Sequence, residues 1–451
     1  MTWLSAHILV VCISIAMALS SLVILGQRRS PQATIAWLLF LVMLPYFALP
    51  VFLLLGFRKR PDAPAPSRDA TRLSETAFST SRVRALCEHY GFLDNAEGNA
   101  FRLLPGPIEA WQTLDDLVRN AGTTLDVTLY VLGPDDVGRA FCAALEARAR
   151  AGVQVRVILD SIGSFHRPSE SIARLKKSGA NVRFYSPLVQ KPTGGHLNLR
   201  NHRKMVIADG ARVWTGGRNV ATEYLGPVEL ADRWRDLSCL VEGPVAKGYC
   251  ETFESDWAKV GGRRRDLKTA RPQAGRSSLG LIPSGPDMAD DALHDAIVLA
   301  CHETRSRLWI VTPYFLPTPT LMEALTIAAR RSVDVRVLVP ERSNQRLADL
   351  ARGPSLRDLH TIGVHIHRHP HMVHAKAVLA DDSAFVGSAN FDARSLLLNH
   401  EIMLLVMTSE DIASITAWAE NLMSETSPGL PHVSRIQRAM ESVFRLVSPV
   451  L

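Results

Sequence analysis

Asn201-His202-Arg203-Lys204-Met205-Val206-Ile207-Ala208-Asp209-Gly210 and Val373-His374-Ala375-Lys376-Ala377-Val378-Leu379-Ala380-Asp381-Asp382 carry one pattern at two places in a chain of 451 residues. Both read H-x-K-x-x-x-x-D. Each is followed by a glycine turn and an asparagine: G-G-R-N ends at Asn219 and G-S-A-N at Asn390. One copy is weak information. Two copies with the same downstream signal point to a duplicated site.

The apolar alternation after each lysine predicts a strand, and alternate residues of a strand share a face. His202 then projects with Lys204, and His374 with Lys376. An imidazole beside an ammonium suits a phosphodiester. One group attacks or moves a proton, and the other neutralises charge on oxygen.

The flanking sequence repeats as well. Val153 to Leu159 reads V-Q-V-R-V-I-L, and Val333 to Val339 reads V-D-V-R-V-L-V. Val153 and Val333 are 180 positions apart, and His202 and His374 are 172 apart. Such consistency indicates an internal duplication rather than a short repeat. Strands are predicted at 125–132, 153–159, 182–185, 308–312 and 333–339, with helices at 135–151, 169–178 and 318–331. Alternating strands and helices imply an α/β sandwich in each half, with helices covering a mixed sheet.

These residues carry a resemblance. L-N-L-R-N-H-R-K (197–204) and G-S-A-N-F-D-A-R-S-L-L-L-N-H-E (387–401) resemble the signatures of the phospholipase D superfamily, and within it the bacterial cardiolipin synthases. The resemblance spans nearly the whole chain. It implies one active site between the two halves, with a histidine from each. One histidine attacks phosphorus, and the other protonates the leaving alkoxide and then deprotonates the acceptor.

By resemblance, His202, Lys204, Asp209, His374, Lys376 and Asp381 are the catalytic-motif residues. Asn219, Asn390 and Ser388 would contact substrate. Asp236 in R-W-R-D and Glu401 in L-N-H-E would orient the histidines. Asp209 and Asp381 sit just beyond the strand, so we expect them to hold the turn and pair with nearby cations. Ser388 faces Gly217 when the halves are aligned, which places an extra hydroxyl near the phosphate in the second half. The resemblance needs no cofactor and no metal. One departure stands out: His365, His367, His369 and His371 precede the second motif. A solvent-facing histidine-rich loop is expected there, with metal binding as the alternative.

The ends of the chain are of another character. Hydrophobic residues make up 47% of the sequence and the mean hydropathy is +0.06. Residues 4–25 and 33–57 form two apolar runs around Arg28, Arg29 and Pro31. A run of that length spans a bilayer core as a helix, at roughly 1.5 Å per residue. A transmembrane helical hairpin over 1–60 is therefore predicted, in the cytoplasmic (inner) membrane, with the catalytic part on the cytoplasmic side. Pro45 and Pro50 allow a bent, re-entrant second segment instead. The remaining boundaries read 61–100 linker and neck, 101–262 first half, 263–280 crossover, 281–430 second half and 431–451 amphipathic helix.

The net charge of +7 suits an anionic partner. The expected partners are a phospholipid substrate, phosphatidylglycerol, and the membrane. No nucleic acid is expected, because no basic groove interleaved with aromatics is visible. Six scattered cysteines without zinc spacing favour reduced thiols. The expected activity joins two phosphatidylglycerols into cardiolipin and glycerol. Hydrolysis as a phospholipase D, transfer from another lipid donor and a membrane-tethered nuclease use the same residues and stay open at this point.

Overall fold

The computed structural model describes residues 3–26, 31–56, 81–186, 198–267, 272–288 and 290–446. The first half is built from β1 (Ala100–Leu104), α5 (Pro107–Arg119), β2 (Thr124–Leu129), α6 (Asp136–Arg150), β3 (Gln154–Asp160), α7 (Ser169–Lys177), β4 (Asn181–Tyr185), β5 (Met205–Ala208), β6 (Arg212–Gly216), β7 (Ser238–Glu242) and α8 (Ala246–Lys259). Ahead of it lie α1 (Trp3–Gly26), α2 (Pro31–Met43), α3 (Pro45–Leu55) and α4 (Arg82–His89).

The second half runs through β8 (Leu279–Ser284), α9 (Ala292–Glu303), β9 (Arg307–Val311), β10 (Phe315–Leu316), α10 (Pro319–Arg330), β11 (Asp334–Pro340), α11 (Arg346–Thr361) and β12 (His365–His369). It continues through β13 (Ala377–Ala380), β14 (Ser383–Gly387), β15 (Phe391–Asp392), α12 (Ala393–Leu397), β16 (Glu401–Val406), α13 (Ser409–Ser424), β17 (Ser427–Pro428) and α14 (Arg435–Leu446).

The duplication is visible in the topology. The first sheet is ordered β1-β7-β6-β5-β2-β3-β4 and the second β17-β12-β11-β9-β13-β14-β16-β8. Read from opposite ends, they are one arrangement, with β17 added at an edge. In each, three strands run parallel (β2-β3-β4 and β9-β11-β12) and the rest pair antiparallel. The mixed α/β halves expected from the sequence are present.

Period-2 side chains explain how the halves join. Met205 and Ile207 of β5 turn to a shared core, as do Ala377 and Leu379 of β13. Val206 and Ala208 turn instead to the first half's own helices, and Val378 and Ala380 to the second's. The shared core also takes Tyr249, Phe253 and Trp257 of α8 and Ile415, Ala419 and Leu422 of α13. Apolar packing therefore fixes the two sheets against each other.

Several expectations need correction. The second apolar run is broken between α2 and α3, where Leu44 precedes Pro45; proline cannot donate its amide to a continuing helix. Its pieces of 13 and 11 residues are each short of a bilayer crossing. Among the described residues one helix, His7–Gly26, is long and apolar enough to cross a membrane. The hairpin is thus one spanning-length helix followed by a kinked pair, packed through Ile24, Leu41, Ala48 and Phe52.

The expected linker and neck at 61–100 falls partly outside the described residues. Within them, α4 buries Val83 and Cys87 in the second half's core, so the globular body begins before Phe101. The histidines at 365–371 do not form a solvent-facing loop. His365 to His369 are strand β12, paired with β11, and the His369 side chain is buried. Among the described residues no three His, Cys, Asp or Glu side chains come together as metal ligands.

Candidate active site

The two H-x-K segments lie just ahead of β5 and β13, not within them. They are extended because the other half pairs with them. The His202 amide donates to the His400 carbonyl at 2.9 Å, and the His400 amide to Arg200 at 2.9 Å. The Arg235 amide donates to Met372 at 2.8 Å, and the His374 amide to Arg235 at 2.7 Å. Each histidine backbone is thereby clamped to the segment that carries the opposite half's carboxylate.

The side chains repeat this crossing. His202 Nδ1 lies 2.9 and 3.1 Å from the two carboxylate oxygens of Glu401. His374 Nδ1 lies 2.7 Å from Asp236 Oδ2. Each imidazole of one half thus has its partner carboxylate in the other, which leaves Nε2 as the ring nitrogen for chemistry. A swapped pairing of this kind is not visible in sequence.

The carboxylates are held differently. Ser388 Oγ donates to Glu401 Oε2 at 2.5 Å, and the Ile402 amide donates to Ser388 Oγ at 2.9 Å. Ser388 is fully buried, so its hydroxyl positions Glu401 rather than meeting the phosphate as expected. In the first half, Asp236 Oδ1 takes the Leu237 amide at 2.7 Å. A Cβ at Gly217 would collide with that same oxygen. Glycine facing aspartate and serine facing glutamate are two solutions to placing one carboxylate.

His202 and His374 face one cavity of about 550 Å³ together with Asn219, Asn390, Tyr130 and Tyr314. Asn219 accepts the Val131 amide at 3.1 Å. Lys204 and Lys376 are buried beside the imidazoles. Lys204 Nζ donates to the His202 carbonyl at 2.6 Å, and Lys376 Nζ donates to the His374 carbonyl. The rings are further packed: Tyr130 stands 4.6 Å from His202, and Tyr224 5.0 Å from His374, both edge to face.

Burial dominates the electrostatics. It pushes the His202 imidazole below its ordinary value, against the pull of Glu401. Burial and the neighbouring Lys376 take His374 down to about 3, against Asp236. Burial lowers Lys376 to about 8 and Lys204 well below an ordinary lysine. Burial opposes ionisation of Asp236, yet His374 and Lys376 hold it at about 2. Burial thus favours the neutral imidazole, the state a nitrogen nucleophile needs, whereas a ring acting as acid must first take up a proton. A bound phosphodiester brings negative charge between them and raises both.

Asp209 and Asp381 are elsewhere, at the far ends of β5 and β13. Asp209 accepts the amides of Gly122, Thr123 and Thr124 at 2.9, 2.6 and 3.0 Å. Asp381 accepts those of Arg305, Ser306 and Arg307 at 2.6, 3.1 and 2.8 Å. They hold turns as expected, but through backbone amides rather than cations, and they take no place around the cavity.

Sequence reading missed three features. Tyr130-Val131-Leu132 and Tyr314-Phe315-Leu316 are a second duplicated signal, Y-x-L, directly after β2 and two residues beyond β9. Arg203, between the motif residues, donates to the Glu401 carbonyl at 3.0 Å and pairs with Asp256 at 2.6 Å. It has no counterpart in the second half, where Ala375 stands. Arg200 and Arg394 also line the cavity.

Known proteins share this organisation. Residues 114–257 and 298–423 match a family described as cardiolipin synthase, PLD-like domain. Cardiolipin synthase A of Pseudomonas syringae is 31% identical over 450 residues, covering 94% of each chain. A probable cardiolipin synthase of Bacillus subtilis is 29% identical and covers 94% of this chain and 90% of its own. The crystal structure of a phosphatidylserine synthase from Haemophilus influenzae covers 82% of this chain and all of its own, with a TM-score of 0.61 at 14% identity, a likeness of fold. The chain belongs to the phospholipase D-like family of cardiolipin synthases.

Proposed function

We propose that the protein is a phosphatidyltransferase that joins two phosphatidylglycerols into cardiolipin and releases glycerol. The observation that carries the chemistry is the pair of imidazoles, one per half, facing a single cavity with their Nδ1 atoms held by carboxylates. The substrate class comes from the relatives. In the first step Nε2 of neutral His202 attacks phosphorus, and the bond from phosphorus to the glycerol oxygen breaks as His374, which takes up a proton when the phosphodiester binds, gives that oxygen its Nε2 proton. In the second, the primary hydroxyl of another phosphatidylglycerol returns a proton to His374. Its oxygen attacks phosphorus, and the phosphorus–nitrogen bond breaks. His202 is assigned the nucleophile because Glu401, itself fixed by Ser388, grips it with both oxygens. Lys204, Lys376, Asn219 and Asn390 support charge on the non-bridging oxygens.

Leaving group and acceptor are both primary glycerol alcohols, so the bond free energies exchanged nearly cancel and the reaction runs both ways. With phosphatidylglycerol vesicles, cardiolipin and glycerol should appear in equal amounts, and added glycerol should drive cardiolipin back. Phosphatidic acid as the dominant product would replace transfer by hydrolysis.

We further propose that α1 anchors the enzyme in the cytoplasmic membrane, with the catalytic body on the cytoplasmic face. In support, residues His7–Gly26 are strongly apolar with little of the helix buried, and no disulfide is formed among the described residues. Removing residues 1–60 should move the protein from the membrane to the soluble fraction. A truncated protein still held by vesicles at high salt would contradict the anchor.

A further inference from the structure

The duplicated centre is symmetric in histidine, lysine, asparagine and tyrosine, but not in arginine. Aligned on the histidines, the counterpart of Arg200 is Met372. Aligned on the asparagines, the counterpart of Arg394 is Glu223. Both arginines line the cavity, and their guanidinium groups are within electrostatic reach of each other and of Tyr130 beside His202. Arg394 Nη1 donates to Asn198 Oδ1 at 2.8 Å, and Nη2 donates to the Asn198 carbonyl. Arg200 is fixed by Asp160 at 2.8 and 3.0 Å. One wall of the cavity thus carries a braced pair of guanidiniums that the opposite wall lacks.

A symmetric centre is enough for the phosphodiester that reacts, since attack and departure are mirror steps. A synthase must also hold a second phosphodiester that does not react. That anion is one glycerol unit away from the attacking hydroxyl, so its seat lies off the line of attack, at a wall. We infer that Arg394, braced by Asn198 and flanked by Arg200, is the seat for the phosphate of the acceptor lipid; this rests on the synthase reading above. Guanidinium suits it because its fork binds two phosphate oxygens at once.

The nearby carboxylate is compatible with an anionic guest. Burial raises Asp392 to about 6. Asp392 and Arg394 are within electrostatic reach of each other, so a phosphate arriving at Arg394 favours the neutral form of Asp392.

The test separates the two acceptors. Mixed micelles of phosphatidylglycerol with labelled glycerol yield cardiolipin by lipid transfer and labelled phosphatidylglycerol by glycerol exchange. The donor and the phosphohistidine are common to both. In Arg394→Gln the ratio of cardiolipin to exchange should fall about tenfold or more, the scale of one charge-assisted hydrogen bond. Arg394→Lys should recover part of it. An equal fall in both products would assign Arg394 to the donor, and unchanged amounts of both would leave it no role in the acceptor; either overturns the inference alone. A wild-type enzyme that makes no cardiolipin would instead overturn the synthase reading and this one with it. Should Arg394→Gln not fold, the wild type offers the same contrast with soluble alcohols. A glycerol phosphodiester should be the better acceptor than glycerol by about tenfold on the same grounds, and equal use of the two would refute the seat.

Discussion

Lys376 and His374 share a buried corner, where the lysine's charge disfavours a proton on the imidazole. Lys376 Nζ stands 2.7 Å from His374 Nδ1, the atom that also faces Asp236. Burial is the largest cause of the fall of Lys376 from 10.5 to about 8. Its positive charge is what the non-bridging oxygens need. We therefore expect kcat/KM, which reports the free enzyme, to decline as pH rises through about 8. Stability should move the other way. The unfolded chain holds the lysine proton up to about 10.5, and the folded chain releases it from about 8. Between those values the unfolded state binds more protons, so stability from this group rises with pH. A kcat/KM flat to pH 10 would show that the Lys376 charge is not needed.

At the scale of elements, alternation was the most legible signal. V-Q-V-R-V-I-L and V-D-V-R-V-L-V became β3 and β11, and the helices at 136–150, 169–177 and 319–330 lie where their periodicity put them. The local pattern failed where a tertiary partner decides. The H-x-K segments are extended through pairing with the opposite half, which no local window contains. H-I-H-R-H reads as a polar loop, yet it is a strand because β11 and β17 flank it. The site followed the same rule: the motif letters were legible, while the exchange of carboxylates between halves and the turn-away of Ser388 were not.

The H-x-K-x-x-x-x-D motif itself divides by element. Its histidine and lysine belong to the site, and its aspartate to a turn. Asp209 and Asp381 have φ of 54° and 45°, a left-handed conformation that aspartate tolerates. Backbone amides overcome burial and bring Asp209 to about 2. Asp209→Ala should cost about 0.5–1.5 kcal/mol, the net worth of a hydrogen bond whose freed donors can turn to water, while kcat of the folded fraction is kept. The stability that Asp209 gives is present above about pH 4 and is lost as pH falls toward 2. Denaturant melts at pH 7 and pH 3 check both points. A variant that keeps its stability but loses kcat would return Asp209 to the catalytic set.

For the whole molecule, the exchange of carboxylates makes the halves interdependent. His202 is oriented by Glu401 and His374 by Asp236, and the sheets that carry them share one apolar core. Neither half contains a complete histidine–carboxylate pair, so neither is a catalyst alone. His202→Ala and His374→Ala should each abolish turnover, by about 10³-fold or more, because groups acting as a unit are not additive. Glu401→Gln should cost less, since it leaves an imidazole that is misoriented but present. Added to His202→Ala, it should cost almost nothing further, because Glu401 acts through that ring. The same Glu401→Gln change added to Asp236→Asn should deepen the loss, since two different imidazoles are then affected. Half-activity in either single histidine variant would demand two separate sites, one per half, and the crossed geometry leaves no room for them.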